Sequence, residues 1–208
     1  MKHMFAVLLA CIFLSGCAYH GALNSNAYNP QSKSEKIPAT VALGEGGKVL
    51  AVGGGAINIE TKDAAMGASR KMLSSTFSAV GKSCEDSQFV AEPSYRLSFV
   101  ETNAWTGRSS FDSDFCMAYY KCGADGIFIE HCDKQRLDVY PPAANTVLSF
   151  ITGLSLFTLS PITFPIMIQL GGDSAVERGN SVLVEHFNAI QTDTLRNRNK
   201  FIIPSKED

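Results

Sequence analysis

The spacing of apolar positions changes period several times along this chain, and each change predicts an element. Residues 48–60, "KVLAVGGGAINIE", hold two β-favouring pieces around three glycines and predict strand, turn and strand. From Thr61 to Lys82 the apolar or small residues Met66, Ser69, Leu73, Phe77 and Val80 recur at steps of three and four. That spacing predicts a helix, with Thr61 as N-cap, Asp63 in a first turn that favours negative charge, and Gly81 at the stop. In "FVAEPSYRLSFVETNAW", Tyr95, Leu97 and Phe99 share one side of a strand and Arg96 and Ser98 the other, while Pro93 predicts an edge or a bend. The stretch "SSFDSDFCMAYYKCGADGIFIEHC" has capping residues Ser110 and Asp112, then Phe115, Ala118 and Tyr119 on one helical face. Gly123 and Gly126 lead from this helix into a strand at Ile127, Phe128 and Ile129, and "QRLDVYPP" adds a short strand closed by Pro141 and Pro142. A last helix carries Val184, Phe187 and Ile190 on one face, with Arg196, Arg198 and Lys200 near its negative end. The pattern is α+β: a small, mostly antiparallel sheet packed with two to three helices.

One run breaks these rhythms. Residues 147–170, "VLSFITGLSLFTLSPITFPIMIQL", contain no charged side chain and are long enough to cross a bilayer as a helix. Pro161, Pro165 and Gly153 argue against a continuous spanning helix. Two layouts remain: a helix over 143–156 followed by a strand over 162–170, or two strands, 153–159 and 162–170, joined at Ser160 and Pro161. Extended, Ile162, Phe164, Ile166, Ile168 and Leu170 would share one face. The run is then either the core of the domain or an exposed interaction surface, for which the candidate residues are Phe157, Phe164, Ile166 and Ile168, together with Trp105 on a polar loop.

The N-terminus bears on compartment. "MKHMFAVLLACIFLSGC" places basic Lys2 before an apolar stretch from Phe5 to Leu14 and then small residues, the layout of an export signal. Its end, Leu14-Ser15-Gly16-Cys17, resembles the lipobox of bacterial lipoproteins. That resemblance implies cleavage after residue 16 and a diacylglycerol thioether plus an amide-linked acyl chain on Cys17, more than the two signals needed for stable anchoring. Ala18, not Asp, follows the cysteine, and by the sorting rule of enteric lipoproteins this implies the outer membrane. Residues 17–38, rich in Asn, Ser, Ala and Tyr, predict a flexible tether with a solvated His20, and the folded domain is expected over 39–208, facing the periplasm.

Composition narrows the chemistry. A chain of 208 residues, 45% hydrophobic, can bury one core, and a net charge of -2 with scattered basic residues excludes nucleic acid as a partner. With Cys11 removed and Cys17 lipidated, Cys84, Cys116, Cys122 and Cys132 remain, an even number in an oxidising compartment. Disulfides are expected, Cys122 with Cys132 and Cys84 with Cys116 being favoured and the reverse assignment left open. A zinc site built from these cysteines and His131 would lack the paired C-x2-C knuckles, and no metal or other cofactor is expected.

Catalytic motifs are weak. "GEGGKV" lacks the spacing of a phosphate loop, and "GGDSAVE" offers Ser174 without a nucleophile-elbow context, with His186 and Asp193 as remote partners. Asp173 and Ser174 read instead as the turn and cap of the last helix. The expectation is a non-enzymatic lipoprotein held to the membrane at Cys17, with envelope proteins or further copies of itself as partners. A lipid- or glycan-binding protein with a pocket around 147–170 is the alternative, and an envelope hydrolase a distant third.

Overall fold

The computed structural model describes residues 19–30, 35–44, 49–52, 57–102, 108–140, 142–154 and 160–202. The elements are β1 (Tyr19–Ala22), a 3-10 turn (Ser25–Ala27), β2 (Ile37–Leu43), β3 (Val49–Val52), β4 (Ile57–Glu60), α1 (Lys62–Thr76) and β5 (Phe77–Gly81). There follow β6 (Phe89–Thr102), β7 (Ser109–Lys121), β8 (Ile129–Val139), α2 (Ala143–Leu154), α3 (Ser160–Arg196) and a second 3-10 turn (Arg198–Phe201). Three helices thus accompany a sheet in the α+β manner, and two disulfides staple it.

The main sheet has six strands in the order β5-β2-β6-β7-β8, with β3 also against β6. It is mixed: β6, β7 and β8 form an antiparallel meander, whereas β2 lies parallel to both β5 and β6, and β3 parallel to β6. The glycine-flanked pair β3 and β4 is no hairpin, because β4 pairs with β1 in a separate two-stranded sheet. Pro93 sits inside β6, a central strand, where an edge or bend was expected. The β2 pairing ends at Ala91 and the β3 pairing starts at Tyr95, so the proline falls in the gap between two strands laid end to end.

The stretch 109–121 is a strand, not the expected helix. Its buried residues Phe111, Ser113, Phe115, Met117 and Tyr119 alternate with Asp112, Asp114, Cys116 and Tyr120, which turn to the other face. Pairing with β6 on one side and β8 on the other satisfies its backbone, and that partnership overrides the helical spacing of a few side chains. The disulfides change accordingly. Cys116 stands directly opposite Cys132 with Cα atoms 4.1 Å apart, the closer pair spacing of an antiparallel ladder, and the two are bonded. Cys84, in the turn after β5, is bonded to Cys122 at the start of the β7–β8 turn, Cα to Cα 5.4 Å. The favoured Cys122–Cys132 and Cys84–Cys116 pairing is therefore overturned, and the reverse assignment holds.

α1 matches the expected start, but it ends at Thr76 and Phe77 opens β5, which pairs with β2. Its buried face is built of small residues, Ala64, Ala65, Ala68 and Ser69, with Met72 and Leu73, so the helix lies close to its neighbours. The core forms where α1 and α3 cover one face of the sheet. Met72 and Leu73 of α1, and Val182, Leu183, Phe187 and Ile190 of α3, meet Tyr95, Phe115, Met117 and Tyr119, and Phe201 stacks edge-on to Phe77, Phe89 and Tyr119.

The run 147–170 contains helices throughout its described part. α2 ends at Leu154, close to the expected helix, but 162–170, expected as a strand, belongs to the 37-residue α3. Pro161 falls in the first turn of that helix, where the N–H it lacks would have no intrahelical partner, and Pro165 lies one turn further on, at the cost of one bond near the helix start instead of in its middle. Asp173 and Ser174, expected as turn and cap, lie well inside it.

Within the segment expected as a tether, the described residues from Tyr19 to Tyr28 pack against the helices. Tyr19 rests on Gly172 and its hydroxyl donates to Asp173 Oδ1 at 3.1 Å. The Asn24 N–H donates to Asn180 Oδ1 at 2.8 Å, and the Tyr28 hydroxyl to Gln191 Oε1 at 3.0 Å. Leu23 covers Gly179, and Lys71 Nζ of α1 donates to Ser25 O at 3.0 Å. The composition is polar, but the aromatic rings of Tyr19 and Tyr28 find places on a helix surface that glycine and glutamine leave open.

A Cβ at Gly172 would fall on the Tyr19 ring, whereas at Gly171 its nearest neighbour is Asn145 Nδ2 at 3.8 Å. Gly172→Ala is expected to lower stability by about 1–3 kcal/mol through overpacking, and Gly171→Ala to be neutral or raise it by up to about 1 kcal/mol through helix propensity; urea denaturation of the two variants measures the difference. Non-reducing peptide mapping is expected to return Cys84 with Cys122 and Cys116 with Cys132.

Candidate functional site

The residues with the strongest chemistry come together under α3. Ser113 lies mid-strand in β7, Asp133 in β8, and His186 on the buried face of α3. The Ser113 Oγ is 2.8 Å from His186 Nε2, and His186 Nδ1 is 2.7 Å from Asp133 Oδ2. Tyr95 Oη extends the line, 3.1 Å from Ser113 Oγ. Burial holds the His186 pKa below its ordinary value although Asp133 pulls the other way, so the ring is neutral at physiological pH. In that state Nδ1–H donates to Asp133, and Nε2 is left as the acceptor that faces the Ser113 hydroxyl. The order is that of a serine hydrolase triad.

Hydrolysis needs more than the triad. Ser113 and His186 are fully buried, with the rings of Tyr95 and Phe115 at 6.1 and 6.2 Å from the imidazole. Leu97 and Gln135 flank Ser113 in register, so the strand commits its N–H groups to ladders and offers no oxyanion donors at the hydroxyl. What the line does achieve is a satisfied polar connection between the helix and two strands. Similar connections recur along α3, at Thr194 to the Tyr119 hydroxyl (3.1 Å) and at Gln191, whose Nε2 donates to Ser75 Oγ at 2.9 Å.

Ser174, His186 and Asp193, the weak serine motif and its remote partners, are not brought together. All three lie on α3, and twelve residues between Ser174 and His186 correspond to about 18 Å of helix. They form no triad. Ser113 and Asp133 carried no motif, and only the pairing of β7 with β8 under α3 reveals them. Ser174 instead borders an open groove of about 460 Å³, lined also by Asp138, Tyr140, Glu177, Arg178 and Ser181.

His131 points inward from β8, buried against Tyr119, while its neighbour Cys132 points outward. Cys116, Glu130 and Cys132 bring their ligand atoms within 4.8 Å, but both sulfurs are consumed by the disulfide. His131 and the cysteines therefore share no site. Of the candidate surface residues, Ile166 is exposed and Ile168 half-buried on α3, Phe164 lies in that helix, and Phe157 and Trp105 fall outside the described residues. Cys17 also lies outside them. Among the described residues no helix is long and apolar enough to cross a membrane.

No family model and no curated protein matches the chain. Among solved structures, a protein of the DUF330 family from Xanthomonas campestris is similar at 9% identity and a TM-score of 0.38, covering 85% of this chain and 98% of that one. A protein described as a neuraminyllactose-binding hemagglutinin homolog from Helicobacter pylori is similar at 10% identity and a TM-score of 0.31, covering 75% and 98% respectively. At such values neither likeness bears on what this chain binds.

Burial lowers the pKa of both His186 and His131 below the ordinary 6.5, and His131 Nε2 has no hydrogen-bond partner among the described residues. The unfolded chain then binds more protons than the folded one in the window below about pH 6.5, so stability is full above that pH and falls as acid is added. Denaturation midpoints measured from pH 7.5 to 5 are expected to drop, and less steeply in the His131→Gln variant. Ser113→Ala, which leaves His186 Nε2 unpaired, is expected to cost about 1–3 kcal/mol at neutral pH.

Proposed function

We propose that this chain is a non-enzymatic lipoprotein of the bacterial outer membrane, facing the periplasm and serving an interaction or assembly role in the envelope. The observation that carries the reading is the distance along the chain from anchor to fold. The lipobox cysteine, Cys17, stands two residues before Tyr19, which is already packed on α3. Acylation there would seat the folded body directly on the membrane surface instead of letting it range on a tether.

Two further observations support the reading. The two disulfides suit an oxidising compartment. The Ser113–His186–Asp133 line has the order of a catalytic triad, but its serine and histidine are fully buried and only Asp133 is partly exposed. On this reading the fold holds a surface at a fixed place above the membrane.

Growth with an alkyne-tagged palmitate analogue is expected to label the wild-type protein and not Cys17→Ala, which should also retain its signal segment. A fluorophosphonate probe, which reacts with activated serines, is expected to leave the protein unlabelled; labelling that disappears in Ser113→Ala would establish an enzyme instead.

A further inference from the structure

Among the described residues the apolar run adds no hydrophobic side chain to the core cluster, though Thr163 is buried. Among the described residues the core cluster takes its first residue of α3 at Ala175, and none from α2. Between Pro141 and Gly172 the sequence has no Asp, Glu, Lys, Arg or His, and charge resumes at Asp173. α2 and the first part of α3 lie side by side, joined where Asn145 Nδ2 donates to Met167 O at 3.1 Å. On α2, Val147, Phe150, Ile151 and Leu154 recur at steps of three, one and three, which forms a single stripe, and it faces outward. Their exposures are 58%, 67%, 40% and 70%, and Ile166 on α3 adds 44%.

The direction of the N-terminal segment says what covers this stripe. Tyr19 contacts Gly172 and Asp173, Gly21 faces Val176, Leu23 covers Gly179, Asn24 bonds Asn180, and Tyr28 reaches Phe187 and Gln191. Both sets of numbers rise together, so the segment runs parallel to α3. Traced backward, it heads for the uncharged end of that helix. Covalent geometry keeps the Cα of Cys17 within about 7 Å of that of Tyr19. An anchor at Cys17 would therefore stand close to the end of α3 that bears the apolar run.

We infer that the α2–α3 hairpin inserts into the same lipid leaflet as the acyl chains of Cys17, making a second, protein-borne contact with the membrane. The inference rests on the lipoprotein reading and adds to it. Length agrees: from Ser160 to Gly172 the helix extends about 18 Å, against about 15 Å for the hydrocarbon of one leaflet. The hairpin reaches into one leaflet and does not cross two. At its base stand Tyr19 and the exposed Tyr140, amphipathic rings suited to the headgroup level, and beyond them the first charges, Asp173, Glu177 and Arg178. A lipid anchor alone leaves the body free to tumble about one point. Hairpin insertion fixes its orientation, with α3 leading from the membrane into the core.

The test uses the full acylated protein in vesicles of phosphatidylethanolamine and phosphatidylglycerol. The native cysteines are engaged, so Phe150→Cys or Leu154→Cys accepts an environment-sensitive fluorophore, and Arg96→Cys and Lys134→Cys, both on exposed sheet positions, serve as controls. Probes at 150 and 154 are expected to shift to the blue and to be quenched several-fold more than the controls by lipids carrying acyl-chain nitroxides. Phe150→Asp with Leu154→Asp should keep the denaturation midpoint, since neither residue is in the core, yet lose the quenching of a probe at Val147→Cys. Quenching no greater than the controls in vesicles that still float with acylated protein overturns the inference and leaves the anchor reading standing. Loss of flotation with an unacylated Cys17 overturns both. Photo-crosslinking from position 154 to a second copy or to another protein, in place of lipid, assigns the stripe to a protein interface and also overturns the inference.

Discussion

The seating of α3 on the sheet is the interaction on which the rest of this structure depends. Apolar side chains such as Val182, Leu183, Phe187 and Ile190 supply the attraction, but greasy contact alone would tolerate a helix slid by a turn. The polar side chains do not tolerate it. His186 must find Ser113 and Asp133, Thr194 the Tyr119 hydroxyl, and Gln191 both Tyr28 and Ser75. A slipped register would leave these groups buried and unpaired, which costs far more than a few lost van der Waals contacts.

That register also organises the two ends of the chain. The N-terminal segment uses the surface of α3 left bare by Gly172 and Gly179, and its hydrogen bonds to Asp173 and Asn180 follow from where the helix already lies. At the other end Phe201 folds back against Phe77, Phe89 and Tyr119 and closes the core. One helix therefore has two parts with different partners: among the described residues its core side chains start at Ala175, while before Asp173 it carries no charge and lies beside α2.

The Ser113–His186–Asp133 line shows why geometry and access must be weighed together. A neutral buried imidazole needs one donor and one acceptor, and a hydroxyl and a carboxylate provide them in the same order that a hydrolase uses. Polar satisfaction beneath a helix and activation of a nucleophile thus converge on one arrangement. Tyr95 and Phe115 flank the buried imidazole, and the strand backbone around Ser113 is spent on the sheet.

Local signals were legible where they answered to local physics. The α+β class, α1 from Lys62, the alternation of Tyr95, Leu97 and Arg96 in β6, and the face of Phe187 and Ile190 all follow from side-chain periodicity. The resemblance of Leu14 to Cys17 to a lipobox is likewise read from contiguous residues, and these lie outside the described ones. Tertiary structure decided what periodicity leaves open. Phe115, Ala118 and Tyr119 fit a helix until β6 and β8 pair on either side, and that pairing then sets Cys116 opposite Cys132. Pro161 and Pro165 read as breaks until the helix is seen to start beside them. The polar residues after Cys17 read as a tether until α3 provides the glycine surface on which Tyr19 rests. The common reason is that a strand's hydrogen bonds and an aromatic ring's burial are completed by residues distant in the chain, so their stabilisation has no address in the local sequence.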